Sequence, residues 1–391
     1  MTVGIMRVIA VALIVLVTAA GCSGSDQAPV APTSVTSSTT PPSDPVPAPA
    51  PAPAPPPAPA PDPTPPPAPT PPPAPPPTPP PAPPPPPSGP KYSVALTVFD
   101  VVSGAGLGGV SITGAGLVGT APSSPTGAMT IGANDAGPHD VTLSGPAIIT
   151  RTTQLRLPAP DAKVTLIPAG FDVPAFDQLC RQPAIHRWLT PPPVVVEARV
   201  LQFTSLADAA LPATTVSQDD GPTRQMALDM QSVLADLTGG HFTSLASIAV
   251  QRSAAGAAVP IMTSGRVTVA RVTGMFTATG YGGFTRWEIG PAGNIQSASI
   301  LLDTQFDNAT SGVATVLRMH EFGHALGLTH VLNRPSLMNP SANAGPTPFD
   351  RDATRIAWER PIGNQSPDND PSGASINRLG RPYWTNAEGV R

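Results

Sequence analysis

The sequence predicts an α+β protein whose folded part follows a segment that cannot build a core. Three observations support this prediction. Proline, alanine, serine and threonine dominate residues 23 to 90, and short β-branched runs divided by glycine fill residues 91 to 170. Residues 171 to 361 then mix strand-like runs with a stretch of helical periodicity. Such a mixture within about 190 residues is typical of a single α+β domain.

Residues 1 to 22 have the features of an export signal. Arg7 precedes an apolar run over residues 8 to 20, which is short for a membrane span and is bounded by small residues. The run ends Thr-Ala-Ala-Gly-Cys at residues 18 to 22, which resembles a bacterial lipobox. That resemblance implies a lipid on Cys22 and, in a cell with two membranes, Ser23 after the cysteine favours the outer one. A cleaved secretory peptide with an incidental cysteine is the alternative.

Residues 23 to 90 predict a disordered stalk. Proline has no amide donor and favours polyproline II, so the segment would be a semi-rigid spacer rising ~3.1 Å per residue. A spacer of this kind would hold the folded part clear of a membrane or wall. A binding site for proline-recognition modules is the alternative.

Residues 91 to 170 predict a small β-sandwich. Alternating apolar and polar residues at turn-bounded spacing indicate strands at 92–99, 109–113, 128–131, 139–143 and 162–167. Residues 98 to 110, together with Pro-Thr-Gly at 125 to 127, resemble carboxypeptidase-regulatory or prealbumin-like modules. We expect spacing or docking from such a module, with binding of substrate or surface glycans as the alternative.

Residues 171 to 361 predict the second folded unit. Strands are expected at 194–200, 247–251, 266–272 and 296–303. Helical spacing of apolar residues predicts a helix over 224–237, which Gly239-Gly240 ends. A second helix is expected from about residue 311, and a final one near residue 350 with Asp350 or Asp352 as its cap. Residues 362 to 391 predict a loose polar tail.

The most informative stretch is His-Glu-Phe-Gly-His-Ala-Leu-Gly-Leu-Thr-His at residues 320 to 330. His320 and His324 are four residues apart, so on a helix both imidazoles project from one face. Gly327 can adopt the left-handed conformation that ends a helix, which lets the chain return with His330 as a third ligand. The chain has only six histidines in 391 residues, and three of them fall here.

This arrangement predicts one catalytic Zn²⁺ ion bound by His320, His324 and His330. Three imidazoles leave a fourth tetrahedral position open for water, which separates a catalytic zinc from a closed structural one. Glu321 lies beside the ligands without being one. It is the expected general base, because a carboxylate in that place can accept the proton of the water and pass it to the leaving amine.

Together with Ser-Leu-Met-Asn-Pro at residues 336 to 340, the motif resembles the zinc-binding sequence and Met-turn of metzincin metalloproteases. Residues 319 to 328 are closest to the matrixin-like members. The resemblance implies a twisted mixed sheet with a catalytic helix, endopeptidase activity, and Met338 as an apolar floor beneath the metal. It also implies that strand 296–303 borders the cleft and pairs with an extended substrate, a plain core strand being the alternative. Val331 after the third histidine leaves the subfamily open.

The two cysteines of the chain, Cys22 and Cys180, limit the possible disulfides. Once Cys22 is modified only Cys180 remains, so no intramolecular disulfide can form. We expect Cys180 to be an ordinary buried thiol. An inhibitory thiolate on the zinc, as in matrixin propeptides, is the alternative, although the residues around Cys180 do not match that family's inhibitory motif.

Charge excludes some partners. The net charge is −4, only 12% of residues are charged, and no basic cluster could follow a phosphate backbone. Nucleic acid is therefore not an expected partner. We expect a monomer that acts on a protein or peptide and reaches the membrane through the lipid on Cys22. Calcium sites, cleavage preference and maturation are left open.

The predicted function is a surface-anchored zinc endopeptidase of the cell envelope, with its catalytic domain outside the cytoplasm. Two rivals belong to other classes. One is an adhesion or scaffold lipoprotein with an inactive or structural zinc site. The presence of Glu321 argues against it, because a structural zinc does not need that carboxylate. The other is a zinc hydrolase acting on a bond other than a peptide bond.

Overall fold

The computed structural model describes residues 89–159, 161–205, 213–214, 223–307 and 312–374. The predicted signal peptide, Cys22 and nearly all of the stalk lie outside these residues. Where the structure describes the chain, it is a mixture of several sheets and few helices, so the α+β class is confirmed. No helix in the described ranges is long and apolar enough to cross a bilayer.

Residues 92 to 166 form two sheets that face each other across one core. The first has strand order β3-β4-β1-β7 and the second β2-β5-β6. Leu96 and Ile131 from the first sheet and Leu143 and Leu155 from the second are almost completely buried in a common cluster. The strands are β1 (Tyr92–Asp100), β2 (Ser111–Thr113), β3 (Leu117–Val118), β4 (Ala128–Ala133), β5 (Gly137–Ser144), β6 (Arg151–Leu157) and β7 (Ala162–Leu166).

Strand β6 was not among the predicted strands. Its inward-facing positions include Arg151 and Thr153, which are 2% and 8% exposed. Polar residues at these positions hide the apolar alternation by which a half-buried strand is recognised. Arg151 is tolerated there because Asp370, distant in sequence, pairs with it at 2.7 Å.

The second part of the fold is built on a five-stranded sheet with order β10-β8-β12-β14-β13. The first four strands are parallel and β13 is antiparallel to β14. The elements are α1 (Val173–Cys180), β8 (Val194–Gln202), β9 (Ala213–Thr214), α2 (Thr223–Ser232), α3 (Leu234–Leu237), β10 (Ile248–Gln251), β11 (Ala258–Val259), β12 (Val267–Thr273), α4 (Met275–Thr279), β13 (Gly283–Ile289), β14 (Ile295–Asp303), α5 (Val313–Ala325) and α6 (Pro348–Trp358).

The sheet order corrects one expectation. Strand β14 corresponds to the segment predicted to pair with a substrate, but it lies between β12 and β13 and has a hydrogen-bonded neighbour on each side. Its backbone groups are therefore already used within the sheet. The edge strand next to β14 is β13, which pairs with β14 alone among the described strands.

The predicted helix over 224–237 is present as two pieces. Helix α2 ends at Ser232, and Val233 separates it from the single turn of α3. Met226, Met230 and Leu237 are at most 1% exposed, which confirms them as core residues. Asp229 of α2 forms a buried ion pair with Arg318 of α5 at 2.7 Å, so α2 holds the helix that carries the histidine motif.

The two parts share their packing. Val101 and Ile167, which follow β1 and β7, belong to the core of the second part together with Phe176, Phe322 and Ile356. Gly89 and all described residues after it form one compact unit. The β-rich region is therefore continuous with the region that carries the histidines.

Residues 362 to 374, which composition predicts as the start of a loose tail, are folded onto both parts. Arg360 and Asp368 are fully buried and form a two-bond pair at 2.7 and 2.9 Å. Asn364 donates to Asp368 and to Asp370, and Asp370 pairs with Arg151 of β6. We call residues 364–370 the C-terminal strap. Its two aspartates, Asp368 and Asp370, thus pair with the buried arginines Arg360 and Arg151.

Electrostatics agree with this arrangement. Burial alone would raise the pKa of Asp368, but Arg360 and then Arg151 outweigh it, so the pKa lies below its ordinary value. The carboxylate is therefore charged in the folded protein. Removing Arg360 would leave that charge buried without its main partner.

We therefore expect Arg360→Met to lower the free energy of unfolding by about 3–5 kcal/mol, the usual cost of leaving a buried charge unpaired. Arg351→Met is the matched control, since Arg351 and Asp236 form an exposed pair with side chains 45% and 36% accessible. That control should cost less than about 1 kcal/mol. Chemical denaturation of the full chain measures both, and equal losses would contradict the role of the strap.

Candidate metal centre

Helix α5 carries the first two histidines of the motif. It spans Val313–Ala325, so His320 and His324 lie in its last two turns, 5% and 3% exposed. The four-residue spacing places both rings on one face of the helix, as predicted. Their ring centroids are 4.8 Å apart.

The chain turns back immediately after this helix. Gly327 has φ +99°, in the left-handed region, as predicted for the residue that ends the helix. A Cβ atom at Gly327 would lie 2.4 Å from the carbonyl oxygen of His186, so the turn also requires a residue without a side chain at this position. Trp188 donates from its indole to the carbonyl of Ala325 at 2.8 Å and satisfies one of the free carbonyls at the helix end.

This turn brings His330 to the other two histidines. The three Nε2 atoms lie 3.2 Å apart for His320 and His330, 3.2 Å for His320 and His324, and 3.1 Å for His324 and His330. Three nitrogens bound tetrahedrally to one zinc at ~2.0–2.1 Å would lie about 3.3 Å apart. The predicted ligands therefore form a group that could hold a metal ion.

The hydrogen bonds of the Nδ1 atoms determine whether the Nε2 atoms carry a proton or a lone pair. His320 Nδ1 lies 2.7 Å from the carbonyl of Leu337, and His324 Nδ1 lies 2.8 Å from the carbonyl of Leu328. A carbonyl only accepts, so each Nδ1 carries the proton. In a neutral ring the Nε2 atom then has a lone pair, and the two lone pairs lie close together because the Nε2 atoms are 3.2 Å apart. A cation bound by both nitrogens would turn this repulsion into attraction.

Burial keeps these rings neutral. It lowers the pKa of His320, and it lowers the pKa of His324 strongly, with the neighbouring His320 and His330 adding to the effect. Burial and His320 together lower the pKa of His330 from 6.5 to about 4. All three imidazoles are therefore in the metal-binding form at neutral pH.

The chain around the third histidine, His330, is hydrogen-bonded to the end of helix α1. The sequence did not indicate this contact. Thr329 donates its backbone N–H to the carbonyl of Leu179 at 2.8 Å and its hydroxyl to the carbonyl of Gln178. The side chain of Gln178 accepts from the backbone N–H of Leu332 at 3.0 Å. The residues before and after His330 are thus both attached to the end of α1.

The predicted Met-turn packs against helix α5. Met338 is 0% exposed, and a Cβ atom at Gly323 would lie 2.4 Å from its sulfur, so the glycine of the motif makes room for the methionine. Val331 donates its N–H to the carbonyl of Met338 at 3.1 Å. The preceding Leu337 accepts from His320, so this turn contributes to the site through its backbone as well.

Asp350 connects the Met-turn to helix α6. Its carboxylate accepts from Ser336 Oγ at 2.5 Å and from the N–H of Leu337 at 2.9 Å. It also takes part in a capping box with Thr347, which is the N-cap of α6. The cap expected at Asp350 or Asp352 is therefore Thr347, and Asp350 is the third helical residue, where its side chain returns to the N-cap backbone.

Glu321 belongs to helix α5, and its side chain packs against strand β13. It is 0% exposed, and Thr285 Oγ1 lies 2.7 Å from its Oε2 atom. A Cβ atom at Gly283 would lie 2.4 Å from Oε1. Neither β13 residue was singled out from the sequence, because nothing in a strand pattern indicates which helix residue it will contact.

Cys180 behaves as the buried thiol that was expected. It is 4% exposed, and its Sγ donates to the carbonyl of Ala353 in α6 at 3.9 Å. Burial raises its pKa far above the ordinary value, which disfavours a thiolate. Among the described residues the group that could hold a metal contains the three histidines and no cysteine. An inhibitory thiolate finds no support in this geometry.

No known family model matches the chain, and no curated protein matches it.

We expect His330→Ala to weaken zinc binding by more than about 100-fold, because even the loss of an outer partner of a ligand costs about 10–100-fold. His186→Ala is the matched control. That imidazole lies in the same part of the fold, but its Nδ1 atom bonds to the carbonyl of Gly293 and it is outside the trio. Competition with a fluorescent chelator measures both affinities, and a similar affinity in the two variants would remove His330 from the ligand set.

The lowered pKa values predict a weak pH dependence of zinc binding. Between about pH 7.5 and about pH 6, affinity should fall by less than about 3-fold, whereas three imidazoles of ordinary pKa would lose about 50-fold to protonation. The same shift destabilises the metal-free fold as pH falls below 6.5, because the unfolded chain then binds protons that the folded rings do not. Chelator titration across this range checks the prediction, and a loss near 50-fold contradicts it.

Proposed function

We propose that the protein is a zinc-dependent endopeptidase with a metzincin-type, matrixin-like catalytic domain. The observation that carries the proposal is the convergence of three imidazole Nε2 atoms at 3.1–3.2 Å, with Glu321 on the same helix beside the first ligand. The mixed sheet and the buried Met338 beneath α5 agree with the fold that the motif resembles. His320, His324 and His330 would hold the zinc.

Glu321 would act as the general base. Zinc, when bound, supplies Lewis acidity that makes a water a nucleophile at neutral pH and polarises a carbonyl. The carboxylate of Glu321 accepts a proton from the attacking water and then donates it to the nitrogen of the leaving amine. Thr285 and Gly283 keep this carboxylate against α5, while the half-buried His330 forms the more accessible side of the histidine group.

Strand β13 supports a substrate that binds in extended form. The N–H of Asp303 donates to the carbonyl of Gly282 at 2.9 Å, which sets the hydrogen-bonded register between β14 and the start of β13. Backbone groups alternate in direction along an antiparallel strand, so those of Gly283, Thr285 and Trp287 point away from β14. A peptide can add to this edge through its backbone, which makes recognition tolerant of sequence.

The amino-terminal features complete the proposal. A lipid on Cys22 would anchor the chain in the cell envelope, and the proline-rich residues 23 to 90 would hold the catalytic part away from the membrane. The substrate would then be a protein or peptide outside the cytoplasm. The β-rich module beside the catalytic part would dock or space the enzyme.

The decisive variant is Glu321→Gln, which keeps the size of the side chain and removes the base. We expect zinc content to stay the same and hydrolysis of an unstructured protein to fall by about 100-fold or more, the usual contribution of a general base. Asp236→Asn, at a surface carboxylate paired with Arg351, is the control and should retain full activity. Chelation should abolish hydrolysis and added zinc should restore it.

Each other outcome points elsewhere. Unchanged hydrolysis in Glu321→Gln would refute the assigned role of that residue. A wild type that binds one zinc and hydrolyses no peptide would favour a scaffold with a structural metal. Zinc-dependent cleavage of an ester or amide model substrate without cleavage of peptides would favour a hydrolase of another class.

A further inference from the structure

Two residues of strand β13 face the carboxylate of Glu321. Gly283 and Thr285 are two positions apart, so they lie on the same face of the strand, and that face packs on helix α5. Phe284 between them points to the opposite face and is buried in a separate cluster with Leu301 and Val272. The edge strand of the sheet therefore also forms one wall around Glu321.

Thr285 makes a directed contact. Its hydroxyl is 2.7 Å from Glu321 Oε2 and 3.0 Å from the backbone carbonyl of the same residue. A hydroxyl has a single hydrogen, and the contact to Oε2 is the shorter of the two, so we assign the hydrogen to Oε2. Thr285 is 5% exposed, which shields this bond from competing water.

Gly283 restricts the same carboxylate by shape. An added Cβ would lie 2.4 Å from Oε1 and 2.5 Å from Cγ of Glu321, well inside any real contact. The glycine therefore leaves the space that the carboxylate fills. The hydrogen bond at Oε2 and the close approach of Gly283 to Oε1 together leave the carboxylate little freedom to rotate.

We propose that Thr285 is a positioning residue that holds the Glu321 carboxylate in its catalytic orientation through the 2.7 Å hydrogen bond to Oε2. This inference rests on the proposed function of Glu321 as the base. General-base catalysis depends on the base lying within hydrogen-bond reach of the proton it accepts. Because β13 pairs with β14 alone among the described strands, the strand that would align the peptide is the one that sets the position of the base.

The test compares Thr285→Val, which has nearly the same shape without the hydroxyl, with Thr285→Ser, which keeps the hydroxyl. We expect kcat to fall about 10–100-fold in the valine variant, the range for losing a hydrogen bond to a charged group, with KM and zinc content unchanged. Serine should restore kcat to within about 3-fold of wild type. Thr285→Ala is a second variant without the hydroxyl should valine not be accommodated.

The matched control is Thr153→Val. Thr153 is a buried strand threonine of β6, 8% exposed, whose hydroxyl has no hydrogen-bond partner within the part of the chain that the structure describes. This variant shows how the exchange of threonine for valine affects the enzyme at a buried strand position where the hydroxyl has no carboxylate partner. Its kcat, KM and zinc content should equal those of wild type, so a loss confined to Thr285→Val reports on the contact with Glu321.

Infrared difference spectroscopy of the metal-free full chain provides a readout that does not depend on turnover. The carboxylate band of Glu321 is the one lost in Glu321→Gln, and it should shift in Thr285→Val and return in Thr285→Ser. An unshifted band, or full kcat in Thr285→Val while Glu321→Gln is inactive, would overturn the inference and leave the proposed function intact. A wild type that hydrolyses no peptide would overturn the proposed function, and with it the role of Thr285 in positioning a catalytic base; the infrared band would then test only the contact between Thr285 and Glu321.

Discussion

The structure depends on one constraint, which is that two imidazoles are locked by backbone carbonyls so that their lone pairs converge. Leu337 and Leu328 accept from the Nδ1 atoms of His320 and His324, and this fixes both the tautomer and the ring orientation. The Nε2 atoms then face each other at 3.2 Å. Without a cation this arrangement is unfavourable, so the surrounding fold must hold it in place.

Much of the second part of the fold contributes to that rigidity. Helix α1 holds the chain on both sides of His330, and Asp350 attaches the Met-turn to α6. The ion pair between Asp229 and Arg318 attaches α5 to α2. These contacts involve side chains whose partners are mostly backbone groups or charges far away in the sequence. A preorganised site of this kind would lose little conformational entropy on binding a metal ion.

The sequence predicted the histidine group that could hold a metal ion because the information is local. His320 and His324 are spaced by the helix itself, and Gly327 followed by His330 needs only a turn, so eleven consecutive residues contain all three histidines of the group. Core strands such as β8, β12 and β14 and the apolar face of α2 were predicted for the same reason, since their periodicity is a property of short segments. The positions of the helix, the turn and the three histidines could therefore be predicted without knowledge of the tertiary structure.

The contacts that the sequence did not predict are long-range. Thr285 looks like any strand threonine until the fold places it against Glu321, and β6 hides its periodicity because Arg151 is satisfied by a residue of the C-terminal strap. The strap itself resembles a loose polar tail, since its carboxylates meet their arginines only in the folded protein. The edge position of β13 follows from the hairpin with β14, which pairs in parallel with β12.

The most direct test is X-ray absorption at the zinc edge on the full chain loaded with one equivalent of zinc. Multiple scattering should show three imidazole rings, with nitrogen at ~2.0–2.1 Å and one further light-atom ligand in the fourth position. A sulfur shell at ~2.3 Å or fewer than three imidazoles would show that the metal is held by other residues. Either result would contradict a site built from His320, His324 and His330.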